Sequence, residues 1–257
     1  MAIATAALLV PGLSSSEGVF THVHNRVPQD QQAVAAGWYV AVFGGVPAER
    51  GPGPGIDLQN GFLGSMPFDG LAGDGAHSVI DHVAISVSDV NAAVDRIRDL
   101  GGKIRKGPEP NAVGQAAAQV SDPWGGRFEL VEDSVHQGFD HVAIVASDAD
   151  ITNAWFLQVF GGESDEERGQ GQFHAVRFGD LWIHIAQAAA GDERKPSRFR
   201  TTDHIGFIVP SLDSFRVTLK ASGYEPYLER PNPPGADLMF IEGPDGIHIE
   251  MTEPLRP

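Results

Sequence analysis

Six residues of this 257-residue chain have the types and the spacing of metal ligands. His22, His82, His141 and His204 each lie near the start of a short apolar strand, in Phe20-Thr-His-Val23, Ile80-Asp-His-Val83, Phe139-Asp-His-Val142 and Thr202-Asp-His-Ile205. Glu129, in Arg-Phe-Glu-Leu, and Glu250, in His-Ile-Glu-Met, each close one half of the chain. Two imidazoles and one carboxylate hold a divalent metal and leave positions open for substrate, and Fe(II) oxygenases are well-known users of that set. The spacing groups the six as His22, His82, Glu129 and His141, His204, Glu250. Fe(II) is the first expectation for the metal, with Mn(II), Ni(II), Zn(II), Co(II) or Mg(II) as alternatives.

What must position these residues is a repeat. His22 maps onto His141 and His82 onto His204 at a period of about 120 residues, and Glu129 maps onto Glu250 at nearly the same step. Ala36-Gly-Trp38-Tyr39 through Phe43-Gly-Gly45 likewise maps onto Asn153-Ala-Trp155-Phe156 through Phe160-Gly-Gly162. Each half contains two His-led strands, so a shorter period of about 60 residues lies inside the long one. The unit is legible at 79–133. An alternating strand starts at His82, and Asp89 can cap a helix. Val90, Ala93, Val94, Ile97 and Leu100 recur at helical spacing, and Gly101-Gly102 ends the helix. Short strands follow, split by turns such as Ser121-Asp-Pro-Trp-Gly-Gly and Glu242-Gly-Pro-Asp-Gly. The chain therefore reads as four βαβββ units, near 19–70, 79–133, 138–188 and 200–253, an α+β fold. Adjacent units are expected to pair into two domains, 19–133 and 138–253, joined by the linker Asp133–Gly138. Residues 1–18 read as a loose tail or a segment packed on the body. Trp38 and Trp155 read as core.

Composition narrows the function classes. A net charge of −16 argues against nucleic acid and anionic membrane surfaces as partners. Hydrophobic content of 42% and charged content of 20% are those of a soluble globular protein. There is no Cys, which excludes disulfides, thiolate metal sites and a Cys nucleophile, and fits a cytoplasmic enzyme. The apolar stretch Met1–Pro11 has no Lys or Arg and is too short to span a bilayer.

Strand alternation gives each candidate a direction. Glu250 shares a face with His248, and Glu129 with Arg127 and Val131, so both carboxylates can face a cavity while the apolar set faces the core. By the same rule the Asp preceding His82, His141 and His204 points away and is not a ligand. His24 lies on the face of His22, and with His248 it reads as a partner that orients ligands.

Four βαβββ units, with a His on the first strand and a Glu on the last, resemble the vicinal oxygen chelate superfamily. That group includes glyoxalase I, extradiol ring-cleaving dioxygenases, acyl-CoA epimerases and the fosfomycin and bleomycin resistance proteins. The combination of Trp-Tyr/Phe…Phe-Gly-Gly, Asp-Pro-Trp-Gly-Gly-Arg-Phe-Glu and Gly-Pro-Asp-Gly-Ile-His-Ile-Glu carries the resemblance over residues 19–253. It implies curved mixed sheets enclosing metal pockets, and a small-molecule substrate gripped by two adjacent oxygens. In related two-domain dioxygenases only the C-terminal domain is active, which favours His141, His204 and Glu250 as the working triad and makes His22, His82 and Glu129 a second site or a relic. His184, in Leu-Trp-Ile-His-Ile, falls near a further Glu ligand of glyoxalase I and an acid/base His of the dioxygenases, so it reads as a fourth ligand or a general base. His174 and Arg177 are candidates to meet an anionic substrate.

The first expectation is extradiol ring cleavage. The alternative is a lyase, isomerase or epimerase working through an enediolate, and the third is a metal-free antibiotic-binding protein. One residue departs from the extradiol motif: Phe240 stands where that motif has a Tyr whose hydroxyl meets substrate. Specificity is expected from the loops Pro67–His77, Lys106–Gln115 and Arg230–Asp237. Monomer and homodimer are both compatible with four units in one chain.

Overall fold

The computed structural model describes residues 18–69, 75–230 and 237–253. Of the expected tail 1–18, residues 1–17 lie outside them, as do parts of two of the expected specificity loops. Unit 1 runs through β1 (Val19–Pro28), α1 (Gln32–Phe43), β2 (Val46–Arg50), β3 (Gly53–Leu58) and β4 (Gly61–Phe68). Unit 2 has β5 (Ile80–Val87), α2 (Val90–Asp99), β6 (Lys103–Pro110), β7 (Ala116–Ser121) and β8 (Arg127–Glu132). Unit 3 has β9 (Phe139–Ala146), α3 (Ala149–Phe160), β10 (Glu163–Ser164), a one-turn helix α4 (Glu166–Gly169), β11 (His174–Phe178) and β12 (Leu181–Gln187). Unit 4 has β13 (Thr202–Ile208), α5 (Leu212–Ala221), β14 (Leu228–Arg230), β15 (Leu238–Glu242) and β16 (His248–Thr252). The expected βαβββ unit is present four times, and α4 and two short 3-10 turns, Gln29–Gln31 and Pro244–Gly246, are additions.

Local chemistry sets the helix ends. Asp89 accepts the Ala92 amide at 2.9 Å, Asp148 accepts that of Ile151 at 3.0 Å, and Ser211 caps α5 in the same way. Gly161 then ends α3 at φ +71°, a left-handed conformation that favours glycine.

In each unit the first strand lies parallel to the last, and the remaining pairs are antiparallel. The units pair differently from the expectation. One open eight-stranded sheet has the order β14-β15-β16-β13-β1-β4-β3-β2, joining units 1 and 4. The other has the order β10-β11-β12-β9-β5-β8-β7-β6, joining units 2 and 3. Each sheet is fused at an antiparallel seam of first strands, β1 with β13 and β5 with β9.

The connections explain this. Residues 133–138 form a tight link: the Asp133 amide donates to the Val87 carbonyl and the Ser86 amide to that of Gly138. That link lays β9 directly on the open edge of β5, whose ladder groups would otherwise lack partners. The chain changes sheet between β4 and β5 and again between β12 and β13. The segment Asp133–Gly138, expected to separate two domains, is therefore a turn inside one sheet.

Both sheets contribute to one buried core. Phe20 of the first sheet meets Phe139 of the second edge-on at 5.3 Å between ring centres. Phe160 of α3 packs on Phe207 at 4.6 Å and on Phe215 of α5 at 5.2 Å. Trp38 and Trp155 are buried in this core, as expected. No helix among the described residues is long and apolar enough to cross a membrane.

Candidate metal centres

The unit pairing decides which ligands meet. His82, Glu129 and His141 converge across the β5–β9 seam, and His22, His24, His204 and Glu250 across the β1–β13 seam. All six expected ligands are thus gathered, but His141 joins His82 and Glu129, while His204 and Glu250 join His22. The expected grouping by chain order fails because the ligands follow the sheet seams.

In the 2–3 centre, His82 Nε2 is 3.1 Å from Glu129 Oε2 and 3.3 Å from His141 Nε2. His141 Nε2 is 3.8 Å from the same carboxylate oxygen. In the 1–4 centre, Glu250 Oε2 lies 3.4 Å from His204 Nε2 and 3.9 Å from His22 Nε2. An ion bound at about 2.0–2.2 Å needs its donors roughly 3 to 3.5 Å apart, so both sets are near the required spread. His22 Nε2 is buried and has no hydrogen-bond partner, which suits a donor atom reserved for an ion.

A device missed in the sequence aims these imidazoles. The residue before each His bonds its Nδ1: Thr21 at 3.0 Å, Asp81 at 2.9 Å, Asp140 at 2.7 Å and Asp203 at 2.8 Å. Strict alternation would turn these residues away. The register shifts at these four places, leaving Thr21, Asp81, Asp140 and Asp203 without a paired position in the seam. These β-bulges re-aim each side chain toward the neighbouring His. With Nδ1 engaged, Nε2 is the nitrogen left for a metal. The signal for this was the Asp-His dipeptide, present three times.

Asp203 is the deepest of these residues. It also accepts Arg26 Nε at 2.5 Å, the Phe199 amide at 2.7 Å and His248 Nδ1 at 2.9 Å. His248, expected as a partner of the Glu250 face, therefore supports His204 through Asp203, and its Nε2 meets the Tyr227 hydroxyl.

Electrostatics follow from burial and these pairs. Burial drives the His22 imidazole down to about 4, against the pull of Glu250. Burial also holds His24 well below its ordinary range, with His204 and His22 adding to the effect. For His82, burial is outweighed by the bonds to Asp81 and Glu129, which raise it to about 9. Burial dominates at His141 and lowers it. Burial would raise both Glu129 and Glu250, but their His neighbours outweigh it and hold both carboxyls below the usual range.

Each centre floors a cavity. The 1–4 cavity measures about 1060 Å³ and is walled by Phe20, Phe62 and Phe240, with Arg50 and Arg230 also in its lining. The 2–3 cavity measures about 480 Å³ and is lined by His184, Phe173 and much of the expected loop Lys106–Gln115. His184 stacks on His141 at 3.9 Å between ring centres, and its Nε2 accepts from Arg168 Nε at 2.9 Å. Burial, then His141 and Arg168, keep His184 neutral. Arg168 of α4 also bonds Asp140 and stacks on Trp182. His174 is not brought to either cavity. Its Nε2 bonds Asp150 of α3 at 2.8 Å, because β11 turns it toward that helix, and Arg177 pairs with Glu163.

The sequence model of the Glyoxalase/Bleomycin resistance protein/Dioxygenase superfamily matches residues 20–130 and 138–251. The chain belongs to that superfamily. Glyoxalase I from Zea mays has the same fold, with a TM-score of 0.69 and 16% identity over 93% of each chain. A putative dioxygenase from Bacillus subtilis follows at 0.65, 15% identical, over 93% of this chain and 86% of that one. A probable lactoylglutathione lyase from Synechocystis is 41% identical over 54 residues. That match takes in 21% of this chain and 41% of that protein's length.

Proposed function

We propose that this chain is a divalent-metal-dependent lyase or isomerase, which grips a small substrate by two adjacent oxygens in the 1–4 cavity and shifts a proton between the carbons that bear them. The observation that carries this reading is the convergence of His22, His204 and Glu250 on the floor of the larger cavity, with His22 Nε2 buried and unpartnered. Ring cleavage, the first expectation from the sequence, is less well supported than the alternative. Phe240 packs edge-on to His204 at 5.3 Å and brings no hydroxyl to the substrate side. The short stretch of likeness to a probable lactoylglutathione lyase points the same way.

A divalent ion held by His22, His204 and Glu250 would supply Lewis-acid polarisation of the substrate oxygens. The chain's own residues do the rest. Asp203 fixes the tautomer and direction of His204, and Thr21 holds the direction of His22. Glu250 stays ionised at neutral pH beside these imidazoles, and its carboxylate is the group placed to take a proton from one carbon and return it to the next. Phe20, Phe62 and Phe240 exclude water around that transfer. Arg230 in the lining favours a substrate with an anionic group away from the reacting carbons, whereas Arg50 is held in a bidentate pair by Asp57.

The test is proton exchange. Protein loaded separately with Ni(II), Zn(II), Co(II), Mn(II), Mg(II) or Fe(II) is given 2-oxoaldehydes, with and without a thiol, in deuterated water. Metal-dependent uptake of deuterium at the carbon beside the carbonyl is expected. Oxygen-dependent yellowing of the Fe(II) form with catechols, without any exchange, would replace this reading by ring cleavage.

A further inference from the structure

In three units the last strand carries a polar ligand-type residue, and the first-strand residue directly opposite it is small. Glu129 pairs with Ala84, His184 with Ala143, and Glu250 with Gly206. In unit 1 the two are exchanged, since Gly64 on β4 is paired with His24 on β1. The exchange is steric as well as chemical. A Cβ on Gly64 would lie 2.6 Å from His24 Nε2, so the imidazole occupies the room that a side chain at 64 would need. The same ring sits inside the 1–4 centre, with Nδ1 2.8 Å from His204 Nε2. It is 4% exposed, and its Nε2 has no hydrogen-bond partner.

We infer that His24 is the fourth protein ligand of the 1–4 centre, presented through Nδ1 from the first strand in place of the last-strand ligand that Gly64 lacks. This rests on the reading of that centre as a metal site. Position 64 on β4 offers no side chain, and His24 reaches the centre from the adjacent parallel strand because two paired residues project to the same face. Gly64 is then required by His24, and a larger residue at 64 displaces the ligand.

Cobalt(II) titration of the full chain tests this, followed by calorimetry and by visible absorption, which reports the ligand set. The phase belonging to the 1–4 centre is the one that Glu250→Ala removes. His24→Ala should weaken that phase by about 100-fold, at least the loss that removing an outer partner causes, and should shift its bands as one imidazole is lost. His24→Phe keeps the ring volume against Gly64 and should weaken it equally, so a fold defect in the alanine variant is separable by thermal melting. Gly64→Ala alone should weaken the phase by displacing His24. In the His24→Ala background, Gly64→Glu should recover most of the affinity with a carboxylate-like spectrum. Unchanged affinity and bands in both His24 variants would overturn the assignment while leaving the centre intact. A chain in which Glu250→Ala removes no phase would overturn the metal reading itself, and His24 with it.

Discussion

The two cavities are built on one plan and differ in what fills the fourth position. Both arise where a pair of first strands meets antiparallel, and in both a bulged residue bonds the Nδ1 of each first-strand His. In the 2–3 centre the ligand atoms bond one another, and Arg168 ties up the fourth residue, His184. In the 1–4 centre His24 Nδ1 likewise bonds His204 Nε2, but His22 Nε2 and His24 Nε2 are buried without a hydrogen-bond partner, no arginine among the described residues ties up the fourth residue, and the cavity above is more than twice as large. A shared backbone frame thus fixes where the candidate ligands stand, and single side chains set the size of the cavity and whether the fourth residue is tethered.

Removing each carboxylate gives the largest effect. Glu250→Ala should lower turnover by about 10³-fold, in the range for a group that both holds and moves a proton. Glu129→Ala should lower it far less, since its cavity is the smaller and its fourth residue is engaged. The comparison is kcat for the two variants measured in the same excess of metal ion. A greater loss at Glu129 would move the active cavity to the 2–3 seam.

Next in size is a pair of stability changes. Asp203 is fully buried and serves Arg26, the Phe199 amide, His204 and His248, whereas Asp81 is only partly covered and faces Arg127, Arg194 and His82. Asp203→Ala leaves Arg26 without its buried counter-charge, which costs about 3–5 kcal/mol. Asp81→Ala should cost about 1 kcal/mol, as for a partly exposed hydrogen-bonded group. Denaturant unfolding of the metal-free variants reads both. Equal losses would mean that the two bulges bear equal structural load.

Much of this architecture was legible in the residues. The four units, the Asp89 cap and the six candidate ligand positions follow from local pattern, because capping, turn chemistry and strand alternation are properties of a few neighbouring residues. The pairing of unit 1 with 4 was not legible, because it depends on which strand edge the link at 133–138 places β9 against. The orienting role of Asp81, Asp140 and Asp203 was hidden for a related reason. A bulge is a feature of two strands in register, and alternation read along one strand places those carboxylates on the wrong face. His174 shows the opposite error, a plausible residue type that the fold directs to a helix away from both cavities.

The tether on His184 offers a finer test of the difference between the centres. Arg168 donates to His184 Nε2 and to Asp140, so it fixes His184 as an acceptor and keeps that nitrogen from an ion. Arg168→Gln removes the fork and the stacking on Trp182 while leaving the strands that carry His82, Glu129 and His141 untouched. His184 is then free to turn its lone pair inward, and the 2–3 centre should gain affinity for cobalt(II) by several-fold, partly offset by the weaker hold on Asp140 and thus on His141. The 1–4 phase should not change, since Arg168 touches none of its residues. Weaker binding at the 2–3 centre would show that Arg168 serves that site by orienting Asp140, and the two cavities would then differ in size and fourth ligand but not in readiness to take a metal.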